Sequence, residues 1–290
     1  MSNQGMIIPE RSRDIGAFMV GRLIPFRKKR MVGSFIFIDH MGPTELGPES
    51  YLDVDQHPHI GLATLTYLFE GEIIHRDSLG TEQRIKPGSV NWMVAGAGVV
   101  HTERTPPELR DGQKQRLHGY QIWVALPKEW EEGEASFHHV AAADLPQWSQ
   151  AGLQFKLVAG ALDGKESPVP VHSPLYMIEI EASTDSTLDL GALLFGEFGI
   201  CVVAGAVESQ GETIEAGRLL VAKTEAQCSI QVRAGSHLLI FGGEPLPEER
   251  FINWNFVASE QAKIDAARKR WQEKAFKMVA DDDSYVPLPG

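Results

Sequence analysis

Apolar positions in this chain fall in short runs cut by turn chemistry. Residues 18–23, 33–39, 63–69, 89–94 and 121–126 are rich in β-branched, aromatic and aliphatic side chains, and Gly42-Pro43, Glu70-Gly71, Leu79-Gly80 and Pro87-Gly88 punctuate them. This pattern predicts short strands in a sandwich or jelly-roll barrel, not the alternation of strands and long helices of a parallel sheet. The same rhythm returns over residues 155–159, 176–180, 199–203, 218–222, 229–232 and 237–241, with glycine turns between them. Two copies of one architecture are therefore expected, joined through a connector at 137–151. Only one segment carries helical periodicity. Ser259 is a good N-cap, Glu260 suits the positive end of a helix, and Ile264, Ala267, Trp271 and Ala275 form one apolar stripe, which predicts a helix over 259–276. The run Asp281-Asp282-Asp283-Ser284 beyond it reads as a frayed, solvated tail.

A chain of 290 residues with 43% hydrophobic and 23% charged residues can build two cores. The net charge of −12 argues against a nucleic-acid surface, which needs clustered cations. The one basic cluster, Arg27-Lys28-Lys29-Arg30, lies between two strand-like runs and reads as a solvated turn. Two cysteines, Cys201 and Cys228, offer neither a disulfide framework nor metal-ligand spacing, so buried free thiols in a reducing compartment are expected. Residues 1–13 carry no apolar signal region, and no apolar run is long enough to span a bilayer. The expected location is the cytoplasm, with no membrane contact.

Candidate chemistry centres on two short motifs. On a strand, positions i and i+2 share a face, so His57-Pro58-His59 would present both imidazoles to one side. Pro58 would point away, best placed near a sheet edge. His101-Thr102-Glu103 repeats this geometry behind the glycine-rich run Gly96-Ala97-Gly98. An isolated H-x-H arises often by chance, and a single buried histidine is ordinarily just hydrogen-bonded in place. Two such pairs on facing strands would bring three imidazoles and a carboxylate to one point, a set that suits iron, manganese, nickel, cobalt, copper or zinc.

Several long segments around these motifs resemble the pirin family of bicupins. They are Phe35-Ile36-Phe37-Ile38-Asp39-His40-Met41-Gly42-Pro43, Gln56-His57-Pro58-His59-Ile60-Gly61, Thr66-Tyr67-Leu68-Phe69-Glu70-Gly71, His75-Arg76-Asp77-Ser78-Leu79-Gly80, the run from Trp92 to Glu103, and the run from Leu117 to Pro127. The match is dense over residues 21–127 and looser afterwards, with Asn253-Trp254-Asn255-Phe256-Val257 also similar. The resemblance implies an all-β bicupin of two jelly-roll barrels with a short C-terminal helix. Residues 1–138 would form the metal-binding barrel, and 139–290 a barrel without metal plus the helix. It also implies one divalent metal per chain, usually iron(II), on His57, His59, His101 and Glu103. The general cupin pattern would put a glutamate four or five residues after the H-x-H pair, where Ala63 and Thr64 stand; Glu103 takes that part, as in pirins. The second unit has only His172 and His237, neither in an H-x-H pair, so no metal is expected there.

Such a set leaves two positions open on a six-coordinate metal, which suits a functional rather than a structural site. Some members of the family resemble flavonol 2,3-dioxygenases, cleaving quercetin with O2 and releasing carbon monoxide. In that reading the partners are O2 and a flavonol-like aromatic molecule, and Glu103 is both ligand and proton acceptor. The alternative implied by the family is a metal- or redox-dependent regulator that binds a transcription factor or a metabolic enzyme. Outer nitrogens of ligand histidines need partners, and His40, His75, Arg76, Asp77 and His118 are the candidates for these or for pocket groups.

Overall fold

The computed structural model describes residues 5–16, 18–48, 50–110, 112, 114–223 and 229–289. Cys228 lies outside the described residues; Cys201 is a buried free thiol. Among the described residues no helix is long and apolar enough to cross a membrane.

The chain divides into two compact units, each assembled from separated segments. The first barrel takes Ser12–Val20, Asp39–Ala142 and Pro247–Gly290; the second takes Met1–Arg11, Gly21–Ile38 and Ala143–Leu246. A boundary at 138/139 therefore misplaces both ends of the chain. Strand Met6–Pro9 pairs antiparallel with Arg218–Lys223 and so joins the second barrel. The C-terminal helix packs on the first, because Ile264, Ala267 and Trp271 share a core with Ile60, Val100, Phe256, Phe276 and Val279.

In the second barrel one sheet runs Met6–Pro9, Arg218–Lys223, Glu197–Ala204, His237–Gly243, Leu175–Ala182, Leu153–Leu162 and Gln147–Gln150. Its four-stranded sheet is Ser186–Asp189, Ser229–Val232, Ala206–Ser209 and Glu212–Glu215. Alternate residues such as Phe155, Leu157, Ile178, Ile180, Leu238 and Ile240 form its core. The basic turn is as expected, with Arg27 and Lys28 exposed, though Lys29 forms an ion pair with Glu197 at 2.7 Å.

The first barrel holds the informative motifs. Its four-stranded sheet runs Asp53–His59, Val99–Arg104, Ile73–Asp77 and Glu82–Ile85, with the H-x-H strand at the edge, where a proline costs no ladder bond. The other sheet carries Ser136–Val140, Val90–Val94, Leu62–Glu70, Gln115–Ala125 and the strand Phe35–Leu46, whose residues from Asp39 onward belong to this unit. Gly42-Pro43 does not end a strand: Phe35–Leu46 runs through it. The presumed connector likewise contains strands Ser136–Val140 and Gln147–Gln150. Gly61, just past the H-x-H pair, has φ +64°, and a Cβ there would collide with the Val257 carbonyl; only glycine permits this approach.

The helix spans Gln261–Gln272, shorter at both ends than its periodicity suggests. Ser259 does not cap it, because its hydroxyl donates to the buried Glu131 carboxylate (2.8 Å), which also holds Arg250 and Lys263, each at 3.1 Å. Past the helix Lys274 adopts φ +54°, so Ala275 is exposed and Phe276 fills the next core position. The tail is not solvated either: the Asp282 side chain is 3% exposed and lies 2.7 Å from Arg104. Trp271 is fully buried at the centre of this core. Trp271→Ala should cost about 3–5 kcal/mol, read as a lower denaturant midpoint, the usual cost of emptying a large aromatic site; a loss under about 1 kcal/mol would show that the helix is not part of the first barrel's core.

Candidate metal centre

Strand alternation brings the donors together. In the antiparallel pair of Asp53–His59 and Val99–Arg104, His101 faces His57 and Val99 faces His59. His57, His59 and His101 are all buried, and one nitrogen from each lies within 4.8 Å of the others. The register slips between His101 and Glu103, where the partner advances from His57 to Val54; Asp55 and Gln56 stand in this bulge.

Hydrogen bonding fixes which nitrogen of each ring is free. His57 Nδ1 lies 2.8 Å from the Asp55 carbonyl, and His59 Nδ1 lies 3.0 Å from the Asn255 carbonyl. A carbonyl only accepts, so both Nδ1 atoms carry the hydrogen and both Nε2 atoms present a lone pair. His101 is set by a longer chain. Asp77 accepts amide hydrogens from Leu79 (2.9 Å) and Thr81 (3.0 Å) on one oxygen, and its other oxygen is 3.0 Å from His75 Nε2. Burial works against the charge of Asp77, but His75 and Thr81 outweigh it and hold the carboxyl below its ordinary value. His75 therefore donates from Nε2 and accepts at Nδ1, 3.3 Å from His101 Nδ1. His101 Nε2 is then bare as well, and it stands 3.1 Å from His59 Nε2.

Bare lone pairs so close repel unless a cation lies among them. Protons are poor candidates, because burial drives the His57 pKa down to about 4 and holds His59 and His101 well below their ordinary value. Neutral imidazoles with bare Nε2 atoms are what a divalent transition metal binds. The donor set thus fits a metal.

Glu103 is half-buried, and desolvation raises its pKa. Its carboxylate gathers with His101 and His75 rather than within the tight imidazole triplet. Thr66 Oγ lies 3.1 Å from Glu103 and 2.9 Å from Gln121. Both neighbours are acceptor oxygens, so the single Thr66 hydroxyl hydrogen serves the Glu103 carboxylate and Gln121 Oε1 in turn. Trp123 meets His59 edge-on, and Phe137 stacks on His75 at 4.5 Å.

Family models match on both barrels: the pirin model over residues 17–124 and the pirin C-terminal cupin domain over 177–277. A pirin-like protein of Caulobacter vibrioides is 42% identical over 288 residues, covering 98% of this chain and 99% of its own. This chain belongs to the pirin family. A quercetin 2,3-dioxygenase structure from Acinetobacter baumannii superposes on the pirin chain with a TM-score of 0.90 at 33% identity, covering 99% of this chain and 95% of its own. A bacterial pirin of Escherichia coli in complex with nickel(II) shares the fold, with a TM-score of 0.64 at 22% identity over 83% of this chain and 100% of its own. The two-barrel, mostly β architecture is thus the cupin-type fold expected of a pirin.

Of the outer candidates, His75 and Asp77 stand behind His101. His40 and His118 pair with each other at 2.8 Å, His40 stacks on Tyr120, and among the described residues neither belongs to a set of converging donors. Arg76 points instead to the tail, donating to the Ala280 carbonyl at 2.8 Å. Thr66, Gln121, Trp123, Phe137 and the Asn255 carbonyl were missed by sequence reasoning. Alternation along residues 63–69 and 121–126 could have flagged the first three, whereas no local signal marks a carbonyl. In the second barrel Glu179, Glu181 and His237 also converge, but Glu179 there is bonded to Lys156 and to His237, each at 2.8 Å.

A pH dependence follows for the metal-free protein. Three imidazoles have folded pKa values below the 6.5 of the unfolded chain, so unfolding takes up protons once the pH falls below about 6.5. Glu103 is shifted upward and works the other way, one group against three. The denaturant midpoint of chelator-treated protein should therefore be lower at pH 5 than at pH 7, and metal should flatten this dependence. A higher midpoint at pH 5 would contradict a neutral buried cluster.

Proposed function

We propose that this pirin is a metal-dependent dioxygenase of the quercetin 2,3-dioxygenase type, which cleaves a flavonol with O2 and releases carbon monoxide, at a centre held by His57, His59, His101 and Glu103. The observation that carries the reading is the convergence of three neutral imidazole lone pairs beside a half-buried carboxylate with a raised pKa. The A. baumannii quercetin 2,3-dioxygenase structure supports the substrate class, since it matches this chain over nearly its whole length. A second relative, from Pseudomonas aeruginosa, carries a provisional quercetin 2,3-dioxygenase name and is 39% identical over 89% of this chain and 80% of its own. Iron(II) is the metal proposed, with nickel, manganese, cobalt, copper or zinc as the alternatives that metal analysis would separate.

The metal, when bound, supplies a Lewis acid that lowers the pKa of a flavonol hydroxyl. The chain supplies the rest. Glu103 accepts the hydroxyl proton: burial raises its carboxyl toward the working pH, where a general base is most effective. The Thr66 hydroxyl, within reach of both Gln121 Oε1 and Glu103, orients one oxygen of the Glu103 carboxylate. His75 and Asp77 hold His101 in the tautomer that keeps Nε2 available. Trp123 and Phe137 pack apolar rings against His59 and His75 and exclude water from them.

The test measures oxygen uptake and carbon monoxide release with a panel of flavonols, each rate divided by measured metal content. The iron(II) protein should turn over, and Glu103→Gln should lose at least about 10²-fold per bound metal, the low end of general-base contributions. Absence of oxygen uptake by the metal-loaded wild type with every flavonol would reject the dioxygenase reading. Full turnover per metal in Glu103→Gln would reject the base.

A further inference from the structure

The four-stranded sheet that carries the donors has a second face. His57, His101, Glu103 and His75 share its inner side, so Gln56, Arg104 and Arg76, one position away, look outward. The segment that follows the C-terminal helix lies on that side. Gln56, fully buried, makes all its described hydrogen bonds to this segment. Its side-chain amide donates to the carbonyls of Asp282 (2.6 Å) and Ser284 (3.1 Å), and its side-chain oxygen accepts from the Val279 amide (2.7 Å). Its backbone amide donates to Ser284 Oγ (3.2 Å), and its carbonyl accepts from the Val286 amide (2.9 Å). Arg104 reaches the same place from the neighbouring strand, 2.7 Å from Asp282 Oδ2 and 2.9 Å from Ser284 Oγ.

We propose that Asp282 is a positioning residue of the metal centre, clamping the two ligand-bearing strands from behind through Gln56 and Arg104. Gln56 adjoins His57, and Arg104 adjoins Glu103. The clamp therefore spans the β-bulge, the stretch where the ladder alone sets strand spacing least firmly. Asp55, in the bulge, offers the carbonyl that orients His57, and its side chain is itself 3.1 Å from Arg104. The Asp282 side chain is buried and locally braced, taking the Ser284 amide (3.0 Å) and hydroxyl (2.6 Å) on Oδ1. The segment is anchored to the helix as well. Tyr285 stacks on Trp271 at 4.5 Å, and Trp271 Nε1 donates to the Val286 carbonyl at 2.9 Å. Removing the Asp282 carboxylate leaves Arg104 without its buried partner and Ser284 without its brace, while the main-chain bonds to Gln56 remain. The strand beside Glu103 is then untied from the segment that holds the strand beside His57, and the two ligands lose their fixed separation.

This inference rests on the metal reading, and wild-type Ni(II) binding tests that reading by itself. Three measurements on the full chain test the clamp: Ni(II) affinity by chelator competition, the visible spectrum of the Co(II) form, and the melting temperature of the metal-free protein. Asp282→Ala should weaken Ni(II) binding about 10- to 100-fold, the range for residues that support ligands from behind, and should alter the Co(II) spectrum. Asp282→Asn keeps the shape and loses the charge; it should move both readouts in the same direction, and it carries the test where the alanine variant does not fold. Ile264→Ala empties a buried helix position away from the clamp, and should lower the melting temperature with Ni(II) affinity and Co(II) spectrum unchanged. Wild-type affinity and spectrum in both Asp282 variants would overturn the proposal. So would an equal loss of affinity in Ile264→Ala at equal loss of stability, since Asp282 would then act only through general stability. A wild-type protein that binds no Ni(II) would overturn the metal reading and this inference together.

Discussion

Three imidazoles are held with their lone pairs toward one another and with no proton to separate them. Each is fixed by a partner at its other nitrogen: the carbonyls of Asp55 and Asn255 for His57 and His59, and the His75–Asp77 chain for His101. Burial keeps the rings neutral, and neutrality makes their convergence unfavourable without a cation. The surrounding structure serves this constraint. A sheet bulge exposes the Asp55 carbonyl, Gly61 lets the segment at Val257 close on the edge strand, and a half-buried carboxylate with a raised pKa stands alongside.

Strand alternation gives the ligand sheet its two roles. Inner positions supply donors, and outer positions bind the segment after the helix, so the edge strand is covered without a further strand. The second barrel has the same two-sheet construction but fills its interior with Phe155, Ile178, Phe198 and Ile240. Among its described residues the one converging group of donors is tied up by Lys156. Two copies of one architecture thus differ in what alternation points inward.

What was legible in the sequence is what depends on local period. His57-Pro58-His59 and His101-Thr102-Glu103 declare their shared face through i, i+2 spacing, and the glycine run before His101 marks a turn into a strand. Ser259 and Asp282 were misread for one reason, that a partner distant in sequence decides each. Ser259 has the chemistry of a helix cap, but Glu131 takes its hydroxyl. Asp282 sits in an acidic run that looks solvated until Arg104 and Gln56 are brought to it. His40 and His75 are alike as sequence, and only strand pairing puts His75 behind His101 and His40 against His118. The ends of the chain were assigned to the wrong barrels because strand Met6–Pro9 and the C-terminal helix find their partners more than a hundred residues away.

The most direct measurement is anomalous diffraction from crystals of the metal-loaded protein. The expected result is one peak per chain, about 2.0–2.2 Å from the Nε2 atoms of His57, His59 and His101, with Glu103 as its carboxylate neighbour. A peak at Glu179 and His237 instead, or a peak bonded to Nδ1 of any of the three rings, would contradict the tautomers on which the site is built.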